Sequence, residues 1–258
     1  MPGRSKEYNV SRGEDRRAAR ETQSDMKKFY YLFGAVIVIG IGVVAFNVGN
    51  SVLSSAATAP IELDLADDEA LVALAQGVTL GDDQAPVTVV EFGDYQCPGC
   101  GAFALSVKPQ IEGTMVASGQ VKFVFYDFPL ISIHPNAFLA ARAARCSDEQ
   151  DAYWEYHETL FRNQARWATA TMPSSAFEDY AEEVGMDGGA FSACLNSDKY
   201  ADVVTANMEL GGRMGVNGTP TVLVNANGNL RRVNSNDFQS ISAAIDELMG
   251  AGGGANRP

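Results

Sequence analysis

The alternation of apolar and polar positions marks out an α/β domain in the second two-thirds of the chain. Val87-Thr88-Val89-Val90-Glu91-Phe92 is short, β-branched and mostly apolar, the pattern of a strand buried on both faces. Residues 98–117 suit a helix, and Val121-Lys122-Phe123-Val124-Phe125-Tyr126-Asp127-Phe128 reads as a second strand. A long helical stretch follows from Asn136 to Met214. Within it Tyr153, Tyr156, His157 and Leu160 recur at i, i+3, i+4, i+7 and form an amphipathic face. Thr221-Val222-Leu223-Val224 is a third strand. Asn227-Gly228 is a two-residue hairpin signal leading into an edge strand, Leu230-Arg231-Arg232-Val233. Ser235 to Met249 closes as a helix, with Ser235 or Asn236 as its N-cap. Strand, helix, strand, helical block, hairpin and helix together predict a mixed sheet with helices on its faces and one helical insertion.

Ahead of this domain lies a run of a different kind. From Phe29 and Tyr30 through Phe46 to Val48 the chain is apolar and carries no ionisable group, close to the roughly 20 residues that cross a bilayer. Lys27 and Lys28 precede it directly, with Arg16, Arg17 and Arg20 behind. Basic residues stay cytoplasmic, so everything after Phe46 is expected outside the cytoplasm. A cleaved signal peptide is the alternative, because Ala57-Thr58-Ala59 has the small residues of a cleavage site. Pro60 directly after it disfavours that reading. No cysteine directly follows the run, which excludes lipid attachment there. The expected organisation is a basic cytoplasmic leader (1–28), one N-terminal transmembrane helix (29–48) and a small, acidic spacer (49–84). The spacer holds a short helix around Asp67–Gln76. The folded domain spans 85–249, with its helical insertion at about 134–214, and a flexible glycine-rich tail covers 250–258.

Charge agrees with this division. The net charge is −13, but residues 1–28 carry a balance of +3 and the remainder −16. Two compartments explain that asymmetry better than one surface does. A strongly acidic chain also repels phosphates, which argues against nucleic acid as a partner. Hydrophobic residues make up 46%, enough for a substantial core.

The candidate chemistry is Cys97-Pro98-Gly99-Cys100, at the junction of a strand end and a helix start. Unpaired N–H groups and the helix dipole stabilise a thiolate at that place. Pro98 suits a first helical turn, where no N–H is needed. Cys97, at the open end, is the expected nucleophile, and Cys100, one turn inside, the resolving thiol. A zinc site needs four ligands, and the chain has no second such pair and only His134 and His157. Haem attachment would need a histidine at position 101, which is Gly101.

Val90-Glu91-Phe92-Gly93-Asp94-Tyr95-Gln96-Cys97-Pro98-Gly99-Cys100 resembles the active-site segment of the DsbA-like branch of the thioredoxin superfamily. Phe128-Pro129-Leu130, His134-Pro135-Asn136-Ala137, Ala143-Ala144-Arg145-Cys146 and Gly215-Val216-Asn217-Gly218-Thr219-Pro220-Thr221 are similar to that branch as well. The resemblance covers roughly residues 80–248. It implies a thioredoxin fold with an inserted helical domain, and the 120 positions between Cys100 and Pro220 leave room for one. It implies a cis Thr219–Pro220 bond against the disulfide, with the Thr219 backbone presented to an extended substrate as an added strand. It also implies that Glu91 is a buried acid that moves protons at Cys100. One position departs from the best-known members, whose Pro-His pair places a histidine beside the thiolate. Gly99 has no side chain for that, and a less oxidising protein is expected.

Cys146 and Cys194 fall in the helical insertion. Outside the cytoplasm disulfides persist, so a structural bridge is expected, with two free thiols or a redox relay to Cys97 as alternatives. A bridge would close a loop of about 49 residues, for which chain entropy gives about 4 kcal/mol. His134 and His157 are expected to be structural, and Trp154, Trp167 and Phe161 to belong to the core. No organic cofactor or metal is implied beyond the redox-active Cys97–Cys100 disulfide. The function expected first is that of a thiol–disulfide oxidoreductase at the cytoplasmic membrane of a bacterium, with its catalytic domain facing the periplasm or exterior. It would oxidise unfolded or partly folded exported proteins and be reoxidised by a membrane redox partner. A reductase or isomerase is the second reading, and a non-catalytic membrane-anchored binding module or holdase the third.

Overall fold

A computed structural model describes residues 57–253, with Gly40 alone ahead of them. The basic leader and the apolar run expected as an anchor lie outside the described residues. Among the described residues no helix is long and apolar enough to cross a membrane.

Five strands form one mixed sheet: β1 (Val78–Leu80), β2 (Val87–Gly93), β3 (Val121–Asp127), β4 (Thr221–Ala226) and β5 (Asn229–Arg232). Their spatial order is β1-β3-β2-β4-β5. Only β2 and β3 run parallel, with Val87 opposite Val121 and Gly93 opposite Asp127. The crossover between them is helical, as a parallel pair requires. It comprises α2 (Pro98–Ser106), α3 (Lys108–Ile111) and a π-helical turn at Glu112–Val116. Residues 98–117 therefore form a broken helix rather than one continuous helix. Pro109 has no N–H to donate back to Leu105, and the chain re-forms around it.

Side chains alternate across β2, and this alternation sets up the site. Val87, Val89 and Glu91 share one face, and both valines are buried in the main core together with Cys100 and Phe103 of α2. Phe92 points to the opposite face and packs with Val216 and Leu223. Glu91 is thus the one ionisable side chain on the buried face of the central strand.

Between β3 and β4 the chain builds the helical insertion: α4 (Ala137–Asp148), α5 (Tyr153–Arg162), α6 (Gln164–Trp167), α7 (Ser174–Glu183), α8 (Gly188–Asn196) and α9 (Ala201–Arg213). Trp167 and Phe161 are buried in the core, whereas Trp154 is only half-buried, its indole N–H donating to the Thr79 carbonyl at 3.1 Å. Met214 caps the end of α9, Gly215 follows with a φ of +79° that suits glycine, and Val216 N–H closes back on Gly211. That turn delivers the chain to the Thr219–Pro220 loop.

Three further expectations need correction. First, the fold begins before Ala85. Residues read as spacer supply α1 (Asp68–Leu74), capped by Asp67, and the edge strand β1. Leu63, Leu65, Leu71 and Ala75 pack with Ala206 and Leu210 in a satellite cluster, so apolar burial holds this segment against α9. Second, the closing helix, α10 (Phe238–Gly253), runs into the glycine-rich stretch expected to be flexible. Third, neither Ser235 nor Asn236 caps it. The carboxylate of Asp237 accepts the Ser240 N–H at 2.8 Å. The hairpin signal is met: Asn227 and Gly228 both have positive φ, at 54° and 78°, as a type I′ turn requires.

Candidate active site

The site forms where β2 ends and α2 begins. Cys97 is the N-cap of α2 in extended conformation, and Pro98 occupies the first helical turn. The Cys97 N–H closes a turn on the Asp94 carbonyl at 3.1 Å, and the Gly101 N–H starts the helix on the Cys97 carbonyl. Cys97 is 9% exposed and Cys100 fully buried, so only the first sulfur is open to attack. Both are free thiols in this structure.

The two thiols differ sharply in acidity. Cys97 is lowered to about 5, chiefly by the hydrogen bond from the Cys100 thiol. The Thr219 hydroxyl and the N–H groups of Cys100 and Gly99 add to this against the opposing effect of burial. Cys100 is pushed well above its ordinary value by burial, by the bond it gives Cys97 and by the charge on Glu91. One thiol is therefore a thiolate at neutral pH and the other holds its proton. The backbone and a partner thiol do here what a side chain at position 99 would otherwise do.

Across from Cys97 lies the loop before β4. The Thr219–Pro220 peptide bond is cis. Cys97 Sγ lies 3.4 Å from the Thr219 carbonyl, a hydrogen bond that its protonated form donates, and the Thr219 hydroxyl has no other partner among the described residues. A Cβ on Gly99 would stand 3.2 Å from Pro220 Cδ and 3.6 Å from Cys97 Sγ. The absent side chain lets the loop close down on the motif.

Glu91 sits behind the thiols, fully buried, with neither carboxyl oxygen hydrogen-bonded among the described residues. Burial raises it to about 8, the nearby Lys108 ammonium opposes this and the Cys97 charge adds to it. A carboxyl group that changes charge near neutrality beside a buried thiol can accept and return its proton.

The sequence reading did not single out the polar side chains that bolt the motif in place. The Asp94 carboxylate accepts N–H bonds from Gln96 (2.7 Å) and Leu130 (2.8 Å) and pairs with His134 Nδ1 (2.7 Å). The Asp94 N–H points at Cys100 Sγ, 3.4 Å away. Gln96 donates to the Ala168 carbonyl and accepts from Asn136 N–H. The Gln164 amide donates to the Tyr95 and Cys97 carbonyls at 2.7 and 3.0 Å. These bonds fix the active-site turn to the helical insertion. Their signal in the sequence was membership of the segments similar to the DsbA-like branch, which hold Asp94, Gln96, His134 and Asn136 but not Gln164. His157 lies deeper, its Nδ1 bonded to the Tyr95 hydroxyl at 2.9 Å, and burial followed by Lys108 holds it well below its usual value. Among the described residues no group of three or more His, Cys, Asp or Glu side chains clusters for a metal ion. Cys146 on α4 and Cys194 on α8 are joined by a disulfide.

A mixed sheet with a Cys-x-x-Cys at the start of the helix after its central strand, closed over by a cis Thr-Pro loop, defines a thioredoxin-fold thiol–disulfide oxidoreductase. A family model described as "Thioredoxin" matches residues 74–247, more than half of the chain. The chain belongs to that family, in its DsbA-like branch. It is 27% identical over 222 residues to a "Probable disulfide bond formation protein D" of Bacillus cereus, covering 84% of this chain and 94% of that one. With the "Disulfide bond formation protein D" of Bacillus subtilis it shares 33% identity over 150 residues, covering 57% and 66%. The crystal structure of oxidised BdbD from Bacillus subtilis superposes with a TM-score of 0.59 at 29% identity, covering 67% of this chain and 92% of that one. The protein is thus a protein thiol–disulfide oxidoreductase similar to the disulfide bond formation proteins.

Proposed function

We propose that the protein introduces disulfides into exported proteins outside the cytoplasm, tethered to the bacterial membrane by residues 29–48. The observation that carries this reading is the asymmetry of the two thiols. A Cys97 thiolate held near pH 5 by fixed donors stabilises the dithiol form, and a stabilised dithiol makes its disulfide a better oxidant. The names of the bacillus relatives point the same way.

In the proposed reaction a substrate thiolate attacks Cys97 Sγ of the Cys97–Cys100 disulfide. The S–S bond breaks, its electron pair leaves on Cys100, and a proton reaches Cys100 by way of Glu91. A second substrate thiolate then attacks the substrate sulfur of the mixed disulfide and expels Cys97 as a thiolate, a good leaving group at its lowered pKa. The substrate loses two electrons as its disulfide forms, and Cys97 and Cys100 gain them. A membrane redox partner removes those electrons to restore the disulfide. The Thr219 backbone receives the substrate chain as an extended strand during the exchange. The Cys146–Cys194 bridge serves structure, stapling α4 to α8 away from the exchange.

The test is the redox potential of Cys97/Cys100 in the full chain, equilibrated in glutathione buffers and read by alkylation mass. A disulfide donor falls near about −120 to −180 mV. A value near about −270 mV would assign the protein to reduction instead.

A further inference from the structure

The loop that carries Thr219 is held from behind by two side chains that belong to neither cysteine motif nor helical insertion. Pro220 lies just outside the β2–β4 ladder, whose last pair is Phe92 with Thr221, so the ladder leaves its carbonyl unpaired. The Asn236 amide donates to that carbonyl at 2.8 Å. Asn236 has cap chemistry, but Asp237 caps α10, which leaves the Asn236 amide for the loop. One register step along, Arg232 pairs with Leu223 across the β4–β5 ladder, and its side chain reaches the diagonal neighbour, Thr221. Its guanidinium donates to Thr221 Oγ1 at 3.0 Å and to the Gly215 carbonyl at 3.4 Å. The Thr221 hydroxyl in turn donates to the Gly218 carbonyl at 2.7 Å. Both ends of segment 215–221 are thereby fixed from the β5–α10 side. Within it, the N–H groups of Asn217, Gly218 and Thr219 have no backbone partner among the described residues. Thr219 is the member of this stretch that meets the motif, its carbonyl 3.4 Å from Cys97 Sγ.

We propose that Asn236 and Arg232 are positioning residues for substrate: they hold segment 215–220 at the distance from Cys97 that lets an extended, cysteine-containing peptide pair with its free backbone. This rests on the reading that Thr219 receives substrate as a strand. Neither side chain touches the sulfur atoms. Their loss therefore acts on docking of a chain and not on the thiol chemistry, because an unclamped loop must be ordered anew each time a peptide binds.

The experiment compares the full-length protein with Asn236→Ala, Asn236→Asp and Arg232→Ala. Asn236→Asp keeps the size of the side chain but has no N–H to give to Pro220. Each is assayed with a synthetic peptide bearing two reduced cysteines and with reduced glutathione, alongside the rate at which iodoacetamide alkylates Cys97. The expected result is a KM for the peptide raised about five- to tenfold in each variant, the cost of one well-made hydrogen bond. The kcat, the glutathione rate and the alkylation pH profile stay at wild-type values. An unchanged peptide KM in both Asn236 variants overturns the inference. So does a loss of equal size with peptide and glutathione, which marks a general structural role. A different result removes the reading beneath it: a wild-type enzyme that shows no saturation by peptide does not receive a strand, and the clamp then has nothing to position.

Discussion

Cys97 Sγ lies 3.4 Å from the carbonyl oxygen of Thr219, a residue 122 positions further along the chain. The contact joins the two halves of the site across the whole helical insertion. The sulfur proposed to react and the backbone proposed to present its substrate are adjacent, and that adjacency makes the following expectations specific.

Cys97 should alkylate with a midpoint near pH 5 in the dithiol protein. Cys100→Ala removes the largest stabilising donor and should move the midpoint up by at least about one unit, measured as iodoacetamide rate against pH. The linkage sign follows from the depressed value. The thiolate contributes stability fully above the unfolded thiol pKa, and the contribution vanishes as pH falls through about 5. The reduced form should therefore gain on the oxidised form as pH rises from 5 to 9, by about 2 kcal/mol at pH 7 once discounted for solvent around the partly exposed thiol, in paired urea titrations. A gap that stays flat across that window contradicts the assignment.

Glu91 titrates in the opposite sense. Its folded pKa is raised to about 8, so the native state prefers the neutral acid and loses stability as pH rises from about 4.5 through 8. Glu91→Gln should stabilise the protein by about 3 kcal/mol at pH 7 and hardly at all at pH 4. The same variant should slow resolution of the mixed disulfide by Cys100, seen in stopped-flow exchange with a trapped peptide. Wild-type kinetics in the variant between pH 6 and 8 would remove Glu91 from the proton path.

Gly99 is where the loop comes closest to the motif. Gly99→Ala puts a methyl 3.2 Å from Pro220 Cδ, and the loop must give way by a few tenths of an ångström. Peptide oxidation should slow more than glutathione oxidation. Gly99→His adds a donor beside the thiolate and should lower the Cys97 pKa by about one unit. That makes the couple more oxidising by about 30 mV, read in glutathione buffers. A potential unmoved by the histidine would show that the backbone donors already saturate the thiolate.

The Cys146–Cys194 bridge spans a sequence separation of 48. Replacing both residues with alanine should cost about 2–4 kcal/mol of stability by denaturant titration. It should leave the potential of Cys97/Cys100 as it was. A shift in that potential would instead assign the second pair a redox part.

Much of this protein was legible along the chain, because the deciding interactions there are local. The short β-branched apolar run over 87–92, the hairpin at Asn227-Gly228 and a thiol at a helix start each depend on neighbours within a few residues. The Cys-Pro-Gly-Cys motif and Thr219-Pro220 could be read as one site from their types, and Glu91 stood out as a charge in an apolar strand. What stayed hidden depends on partners remote in sequence. Polarity in residues 57–84 suggested a spacer, and only the packing of α9 through Ala206 and Leu210 shows why Leu71 is buried there and Leu63 and Leu65 partly so. Asn236 read as a helix cap because cap chemistry is all a local sequence can display. Its bond to Pro220 exists because β5 and α10 return beside the loop. The acidity of Cys97 is more local, because its chief donor is Cys100, three residues on, and only the contribution of Thr219 comes from a remote segment. The sequence by itself determined which atoms are candidates to react and on which elements they stand. Only the packing of distant segments around them decided which charge each group carries, because burial and a neighbour's hydrogen bond are properties of the folded surroundings.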